Sequence, residues 1–284
     1  MADSQDNSTL NGAVAAADHG AAPPVWQRLR FEAQQSAQEE PTLSGYLNAT
    51  VLSHDNLTDA LCYQLAHKAA SRDMNALQIR EICQQAFEKD ESLIRCVERD
   101  MLAVLERDPA CRTLLQPFLF FKGFLALQTY RVAHSLWKEG RDVLSFFLQS
   151  RMSELYGVDI HPAAKIGCGI FVDHATGIVI GETATVGDEC SILQEVNLGG
   201  TGKEFRDRHP KVGKGVLIGA GAKVLGNISI GDYARIGASS VVLHDVPPGC
   251  TAAGIPAKIV GCECMETAKA MDQCNGLEEK SETK

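Results

Sequence analysis

The sequence predicts an α+β chain in which an N-terminal α-helical domain is followed by a parallel β-helix of hexapeptide repeats with one extended loop. Three observations carry this expectation. Ile or Val recurs at six-residue steps from Ile160 to Val242. Before Gly157 the apolar residues are spaced by three and four instead, the period of a helix. Ten residues, 202–211 (GKEFRDRHPK), interrupt the six-residue period once. A fixed short period marks a solenoid, and a six-residue period marks a β-helix, because three such units close one triangular turn with each aliphatic side chain pointing inward.

Taken in order, residues 1–24 are rich in Ala, Asn, Ser and Asp, with no Arg before Arg28. That is the composition of a disordered tail, and an organellar transit peptide would be richer in Arg. Helices are predicted over 57–70, 76–87, 92–106, 112–138 and 142–156 within a helical domain spanning 25–157. Pro109 after Asp108 stops the third, Pro117 starts or kinks the fourth, and Gly140 ends it. The fourth carries Phe118, Phe121, Leu125 and Tyr130, a wide apolar face that reads as core packing, with a subunit interface as the alternative. The β-helix is predicted over 158–261. Its inward slots are Ile160, Ile166, Val172, Ile178, Ala184, Cys190 and Val196, then Val212, Ile218, Val224, Ile230, Ile236 and Val242. Residues 202–211 have no room in a regular coil and must leave it at a corner. The tail, 262–284, loses the period and is expected to be partly disordered from about Ala268.

A chain of 284 residues with a net charge of −9 can bury a large core and does not suit general binding to nucleic acid or to anionic membranes. No apolar leader follows a basic start, so the ten cysteines are expected to be reduced thiols in a cytoplasmic protein. The most apolar stretch, 114–127, contains Gln116, Pro117 and Lys122 and is no membrane span. Cys262 and Cys264 are too close for a zinc knuckle. His161, His174, His209 and His244 offer no close pair of ligands, so no metal is expected.

The chemistry-bearing residues follow from the coil. His174 stands two residues beyond Val172, at a corner, and should face outward. An imidazole titrates near neutrality, about 6.5, and can take a proton from an alcohol when a carboxylate holds its other nitrogen. Asp159 is fifteen residues earlier, close to one turn of the coil, and can approach His174 by stacking. Asp173 is expected to diverge from its neighbour along a strand. His161 is a competing base, read as structural. The long loop carries Lys203, Arg206, Arg208, His209 and Lys211. Arg208 and His209 could grip a carboxylate, or simply form a solvated basic loop.

The segments VDIHPAAKIG, DHATGIVIGET, LGGTGK, DRHPK, IGAGAKVLGN and AAGIPAKIVG, with ERDPA and FFKGFLALQTYRVAHSLW upstream, resemble the serine O-acetyltransferase family over about residues 57–261. The resemblance implies a left-handed β-helix, trimers formed through it, and a dimer of trimers formed through the helical domains. It implies transfer of acetyl from acetyl-CoA to L-serine, the opening step of cysteine biosynthesis. His174 matches the family's general base and Asp159 the carboxylate that orients it. Asp108 and Asp173 match the carboxylates that hold the serine ammonium, and Arg208 with His209 the pair on its carboxylate. Acetyl-CoA would lie between neighbouring β-helices. Gly200, Thr201 and Ala220 are candidates for backbone contacts there, and Lys223 or Arg235 for the phosphates. Cysteine is implied as a feedback inhibitor in the serine site. The family's partner enzyme, O-acetylserine sulfhydrylase, takes a C-terminal tail ending in Ile. This chain ends SETK, which weighs against that complex. The rival functions are acetyl transfer to a sugar or antibiotic on the same repeat, a metal enzyme, and a non-catalytic scaffold.

Overall fold

A computed structural model describes residues 24–202, 205–262 and 267–271, so the expected tail at the N-terminus lies outside the described residues. Among the described residues eight α-helices come first: α1 (Val25–Glu39), α2 (Ser44–Leu47), α3 (Leu57–Ala69), α4 (Ala76–Lys89), α5 (Ser92–Arg107), α6 (Leu115–Leu119), α7 (Lys122–Lys138) and α8 (Asp142–Tyr156). Two begin on the caps their sequence offers. The Asn56 side chain accepts the Asp59 N–H at α3, and Asn75 and Gln78 cap each other reciprocally at α4. The single helix expected over 112–138 is two helices, broken where Phe121 turns extended (φ −81°, ψ 108°). The break lets Gly123 in the first turn of α7 lie on the carbonyl of Val172, a contact made by the other half of the molecule. The wide apolar face on these helices is core: Phe118, Leu125 and Tyr130 are all buried.

One polar network ties the helices to the first coil. Asp100 on α5 is fully buried and its Oδ2 accepts from Arg131 Nη2 on α7 at 2.7 Å and from Gln128 Nε2 at 3.0 Å. Its Oδ1 accepts the N–H of Ile170 at 2.9 Å, and Arg131 Nη2 reaches the carbonyl of Gly167 at 2.7 Å. Burial pushes the Asp100 carboxyl up, and the guanidinium beside it pulls the other way. Removing one partner of such a pair strands a buried charge. Asp100→Ala is therefore expected to lower folding stability by about 3–5 kcal/mol, read from denaturant unfolding.

After Gly157, which ends α8 in the left-handed conformation (φ 66°), the chain becomes a coil of short strands. These are β1 (Val158–Ile160), β2 (Lys165–Ile166), β3 (Phe171–Val172), β4 (Ile178–Ile180), β5 (Thr185–Val186), β6 (Ser191–Ile192), β7 (Asn197–Gly199), β8 (Lys211–Val212), β9 (Leu217–Ile218), β10 (Lys223–Leu225), β11 (Ser229–Ile230), β12 (Arg235–Ile236) and β13 (Val241–Val242). They stack into three parallel sheets. The first holds β1-β4-β7-β10-β13 and the second β11-β8-β5-β2. The third, β15-β14-β12-β9-β6-β3, ends in the antiparallel pair β14 (Thr251–Gly254) and β15 (Ala257–Gly261).

The stacking corrects the expected register. Ile160, Ile166 and Val172 stack on Ile180, Val186 and Ile192, so the first turn takes 20 residues where the next strand pair, Ile180 on Leu198, takes 18. Ile178, Ala184, Cys190 and Val196 are buried too, but as the second inward row two residues earlier. A strand buries alternate positions, so a two-residue slip exchanges one apolar row for the other and leaves no trace in hydrophobicity. Between Ile160 and Val242 the six-residue step therefore breaks twice: between Val172 and Ile180, and between Leu198 and Val212.

One further expectation is corrected. Cys96 on α5 is joined to Cys168 in the coil, their Cα atoms 4.7 Å apart, and Cys250 is joined to Cys262. Composition predicted reduced thiols; packing brings together cysteines that are 72 residues apart in sequence. Of the tail expected to lose order from about Ala268, residues 268–271 are described and the rest lies outside the described residues. Thr267–Ala270 forms α9, whose Thr267 hydroxyl donates to the carbonyls of Gly215 and Tyr233 at 2.9 Å. That segment and α5 cover the outer face of the third sheet.

Candidate active site

The two breaks in the coil carry most of the candidate residues. At the first, the corner between β3 and β4 is wider by two residues, and His174 (φ 54°) and Ala175 (φ 64°) both take the left-handed conformation. Non-Gly residues there cost about 1–3 kcal/mol each, and such strain collects at functional sites. Ala175 is buried inside the corner while the His174 side chain is 74% exposed. Its Nε2 lies 3.6 Å from Asp173 Oδ1. The left-handed turn thus brings together two neighbours that a strand would send apart, which corrects the expectation for Asp173.

A hollow of about 550 Å³ opens beside this corner, lined by Asp108, Phe120, Lys122, Asp173, His174 and Thr176 among others. Asp108 reaches it as the residue ending α5, with its carboxylate accepting the Ala110 N–H at 2.8 Å. Burial raises the Asp173 carboxyl, the neighbouring Asp108 charge adds to this, and His174 opposes it. Two carboxylates and an imidazole therefore share one pocket, a set suited to a cationic ligand and a proton acceptor. Another hollow of about 440 Å³, lined by Arg99, Glu106, Glu189, Lys214, Tyr233 and Lys269, holds none of the candidates.

The second break carries Arg208 and His209. Arg208 Nη2 pairs with Glu182 Oε2 at 2.6 Å, which holds the Glu182 carboxyl below its usual range. Thr183 organises both residues: its Oγ1 accepts the N–H of Arg208 and of His209, each at 3.1 Å, and lies 2.8 Å from His209 Nδ1. The Thr183 N–H also donates to Nδ1 at 3.2 Å, leaving Nε2 as the protonated nitrogen of the neutral ring. The imidazole lies on Gly181, where any side chain would overlap it. Glu182 and Thr183 went unrecognised in the sequence, although they close the DHATGIVIGET segment. The signal was the glycine-bounded corner one turn below the loop.

The structure does not gather every candidate. Asp159 lies mid-strand in β1, level with Val179, and its Oδ1 accepts from Gln149 Nε2 of α8 at 2.5 Å. Among the described residues no hydrogen bond joins Asp159 to His174. The His174 corner precedes β4 and the Arg208 loop follows β7, so the two clusters sit at opposite edges of the first sheet, whose strands span about 10 Å. Gly200 borders Arg208, and Thr201 borders Gly226. Ala220 lies at the corner before β10, and Lys223 donates to the carbonyl of Glu195. Arg235 stands in β12 of the third sheet and is 8% exposed. Lys203 lies outside the described residues.

Four imidazoles, His54, His134, His161 and His209, are held below the ordinary histidine value, each chiefly by burial. The unfolded chain then binds more protons than the folded one below about pH 6.5. Their stabilising contribution is complete above that value and is lost as pH falls toward the depressed folded values. The thermal midpoint is expected to drop between pH 7.5 and 5.5; a flat profile in scanning calorimetry would refute this.

The fold and its corner pocket define a hexapeptide-repeat transferase: residues 209–244 match the family described as bacterial transferase hexapeptide (six repeats). Residues 25–129 match the family described as serine acetyltransferase, N-terminal. A serine acetyltransferase of Haemophilus influenzae is 54% identical over 236 residues, covering 83% of this chain and 88% of that protein. A solved serine acetyltransferase in complex with cysteine superposes with a TM-score of 0.86 at 52% identity, covering 88% of this chain and 97% of the other. A solved complex with CoA gives 0.80 at 52% identity, covering 83% and 98%. The chain belongs to the serine acetyltransferase family, and its coil is a left-handed parallel β-helix.

Proposed function

We infer that this protein transfers the acetyl group of acetyl-CoA to the hydroxyl of L-serine, giving O-acetyl-L-serine and CoA, the first step of cysteine biosynthesis from serine. Membership of the family supports it, and one observation carries the site: Asp108, Asp173 and His174 share one pocket at the widened corner. His174 takes the proton of the serine hydroxyl as that oxygen attacks the thioester carbonyl. The tetrahedral intermediate collapses, the carbon–sulfur bond breaks, and the proton passes from His174 to the departing CoA sulfur. No acetyl-enzyme is needed, because both substrates meet in one complex.

Asp108 and Asp173 hold the serine ammonium, while Arg208 and His209 take its carboxylate. These pairs lie at opposite edges of one sheet, so a second copy supplies Arg208 and His209 to the His174 corner of the first. A trimer joined through the coils provides that arrangement, with a dimer of trimers as the larger assembly. Asp159 orients the imidazole in the same shared site. Acetyl-CoA lies in the cleft between copies beside Gly200, Thr201, Ala220 and Lys223. Cysteine, with a sulfur in place of the serine oxygen, fits the same ammonium and carboxylate partners and acts as a feedback inhibitor. We take the helical part, 25–157, and the coil, 158–261, as the two domains, and the cytoplasm as the site of action, in keeping with a reaction on free serine and acetyl-CoA. Among the described residues no helix is long and apolar enough to cross a membrane.

The test is thiol release from acetyl-CoA with and without L-serine, with sugars as alternative acceptors. Serine-dependent release is the expected result. Release that follows a sugar instead, or no release from folded protein, would overturn the acceptor assignment.

A further inference from the structure

We propose that Lys122 and Gly123, the first two residues of α7, clamp the His174 corner at both ends, and that Lys122 is a positioning residue for the base. The proposal rests on the function inferred above. The corner from Val172 to Ile178 carries two more residues than its counterpart in the next turn. The coil binds it at Asp173, whose N–H donates to the Ile192 carbonyl at 2.9 Å, at Thr176, whose carbonyl accepts the Glu195 N–H at 2.8 Å, and at Gly177, whose N–H donates to the Gly157 carbonyl at 2.7 Å. Among the described residues no backbone hydrogen bond from another turn reaches His174 or Ala175, and the helical part braces that stretch from outside. Gly123 seats on the Val172 carbonyl so closely that any side chain there would overlap the backbone. Lys122 Nζ donates to Thr176 Oγ1 at the far end. Between these two points the Ala175 N–H reaches the Asp173 carbonyl at 2.5 Å, and the Thr176 N–H reaches the His174 carbonyl at 2.7 Å. The two left-handed residues, His174 and Ala175, lie inside that span.

Lys122 has no helical reason to be where it is. A cation in the first turn opposes the positive end of the helix dipole, and the N-cap Phe121 offers no side-chain hydrogen bond. Its place is explained by Thr176, and by a pocket that also holds the carboxylates of Asp108 and Asp173. Gly123 places the helix close enough for the lysine to reach. The helical part of the chain thereby steadies a base that the coil's own hydrogen bonds flank but do not reach.

The test compares Lys122→Met, Lys122→Arg, Thr176→Val and the Lys122→Met/Thr176→Val double variant in the full chain, with His174→Ala alongside. A base displaced by about 1 Å loses up to ~100-fold, so Lys122→Met and Thr176→Val should each lower kcat roughly 10–100-fold. The KM for acetyl-CoA should stay unchanged. The double variant should be no worse than the worse single one, since both remove the same contact. Lys122→Arg, which keeps a donor, should recover part of the loss. Amide hydrogen exchange across 173–177 should quicken in Lys122→Met whatever the reaction proves to be. Unchanged exchange, or a kcat within about twofold of wild type, overturns the clamp. If Lys122→Met does not fold, Thr176→Val, altered at an exposed side chain, decides by the same readings. Turnover surviving in His174→Ala would instead overturn the base assignment, and the exchange data would still judge the clamp.

Discussion

His174→Ala is expected to lower kcat by about 10²–10⁴-fold at neutral pH, with the protein still folded and its acetyl-CoA affinity retained. The size follows from the role. A serine hydroxyl is a poor nucleophile until its proton is taken, and a positioned imidazole that accepts it in the transition state is worth that factor. Retained folding follows from exposure, because a side chain 74% open to solvent contributes little to packing. The informative control is His161→Ala. His161 Nδ1 accepts the Ala163 N–H at 3.1 Å, and its ring stands edge-on to Trp137 and Phe146 at 5.4 and 5.5 Å between centroids. It is built as a packing element, so its loss should lower the thermal midpoint far more than it lowers turnover. Should His161→Ala abolish turnover in a folded protein while His174→Ala keeps it, the base has been misassigned.

Mixing two defective variants is expected to restore activity. Arg208→Ala removes a charged donor from the serine carboxylate, a bond worth about 1.5–3 kcal/mol, and should raise the serine KM by roughly 10–100-fold. At serine well below that KM, Arg208→Ala and His174→Ala are each nearly silent. If His174 of one copy meets Arg208 of the next, random mixing in a trimer leaves about a quarter of the sites with both residues intact. A mixed trimer of either composition holds one such site in three, so co-expressed, differently tagged variants purified as mixed trimers should regain about a third of the wild-type rate. Mixed assemblies with no activity above the two parents would place the complete site within one copy. The prediction arises because parallel strands of the first sheet separate the corner before β4 from the loop after β7.

Much of this was legible in the sequence, for a physical reason. A coil with six-residue steps repeats the same burial demand at every turn, so Ile218, Val224, Ile230 and Ile236 announce the architecture without help from the rest of the chain. The long loop was equally visible, since residues 202–211 cannot fit between Leu198 and Val212 in a regular turn. The widened corner at His174 was not. It adds two residues, the period of alternation in a strand, and so Ile178 took the apparent place of Ile180. Glu182 and Thr183 were passed over because their partners, Arg208 and His209, are 25 or 26 residues away and meet them only by stacking. The break between α6 and α7 was invisible for a similar reason. Phe120 and Phe121 fit a helical period, and the contact that the break permits, Gly123 on the carbonyl of Val172, lies far off in sequence.

The sequence by itself determined the coil, the helical half before it, the family, and the residue types able to carry acyl transfer, because each is written in local spacing or in short contiguous motifs. Tertiary structure alone decided which of those residues meet. It set Asp108 from α5 beside Asp173 and His174, buried Arg235 in the third sheet, joined Cys96 to Cys168, and left Arg208 at the far edge of the sheet. Burial periodicity records which side of a strand faces inward. It carries no information about which outward side chains are brought together when a helix or another turn packs across them.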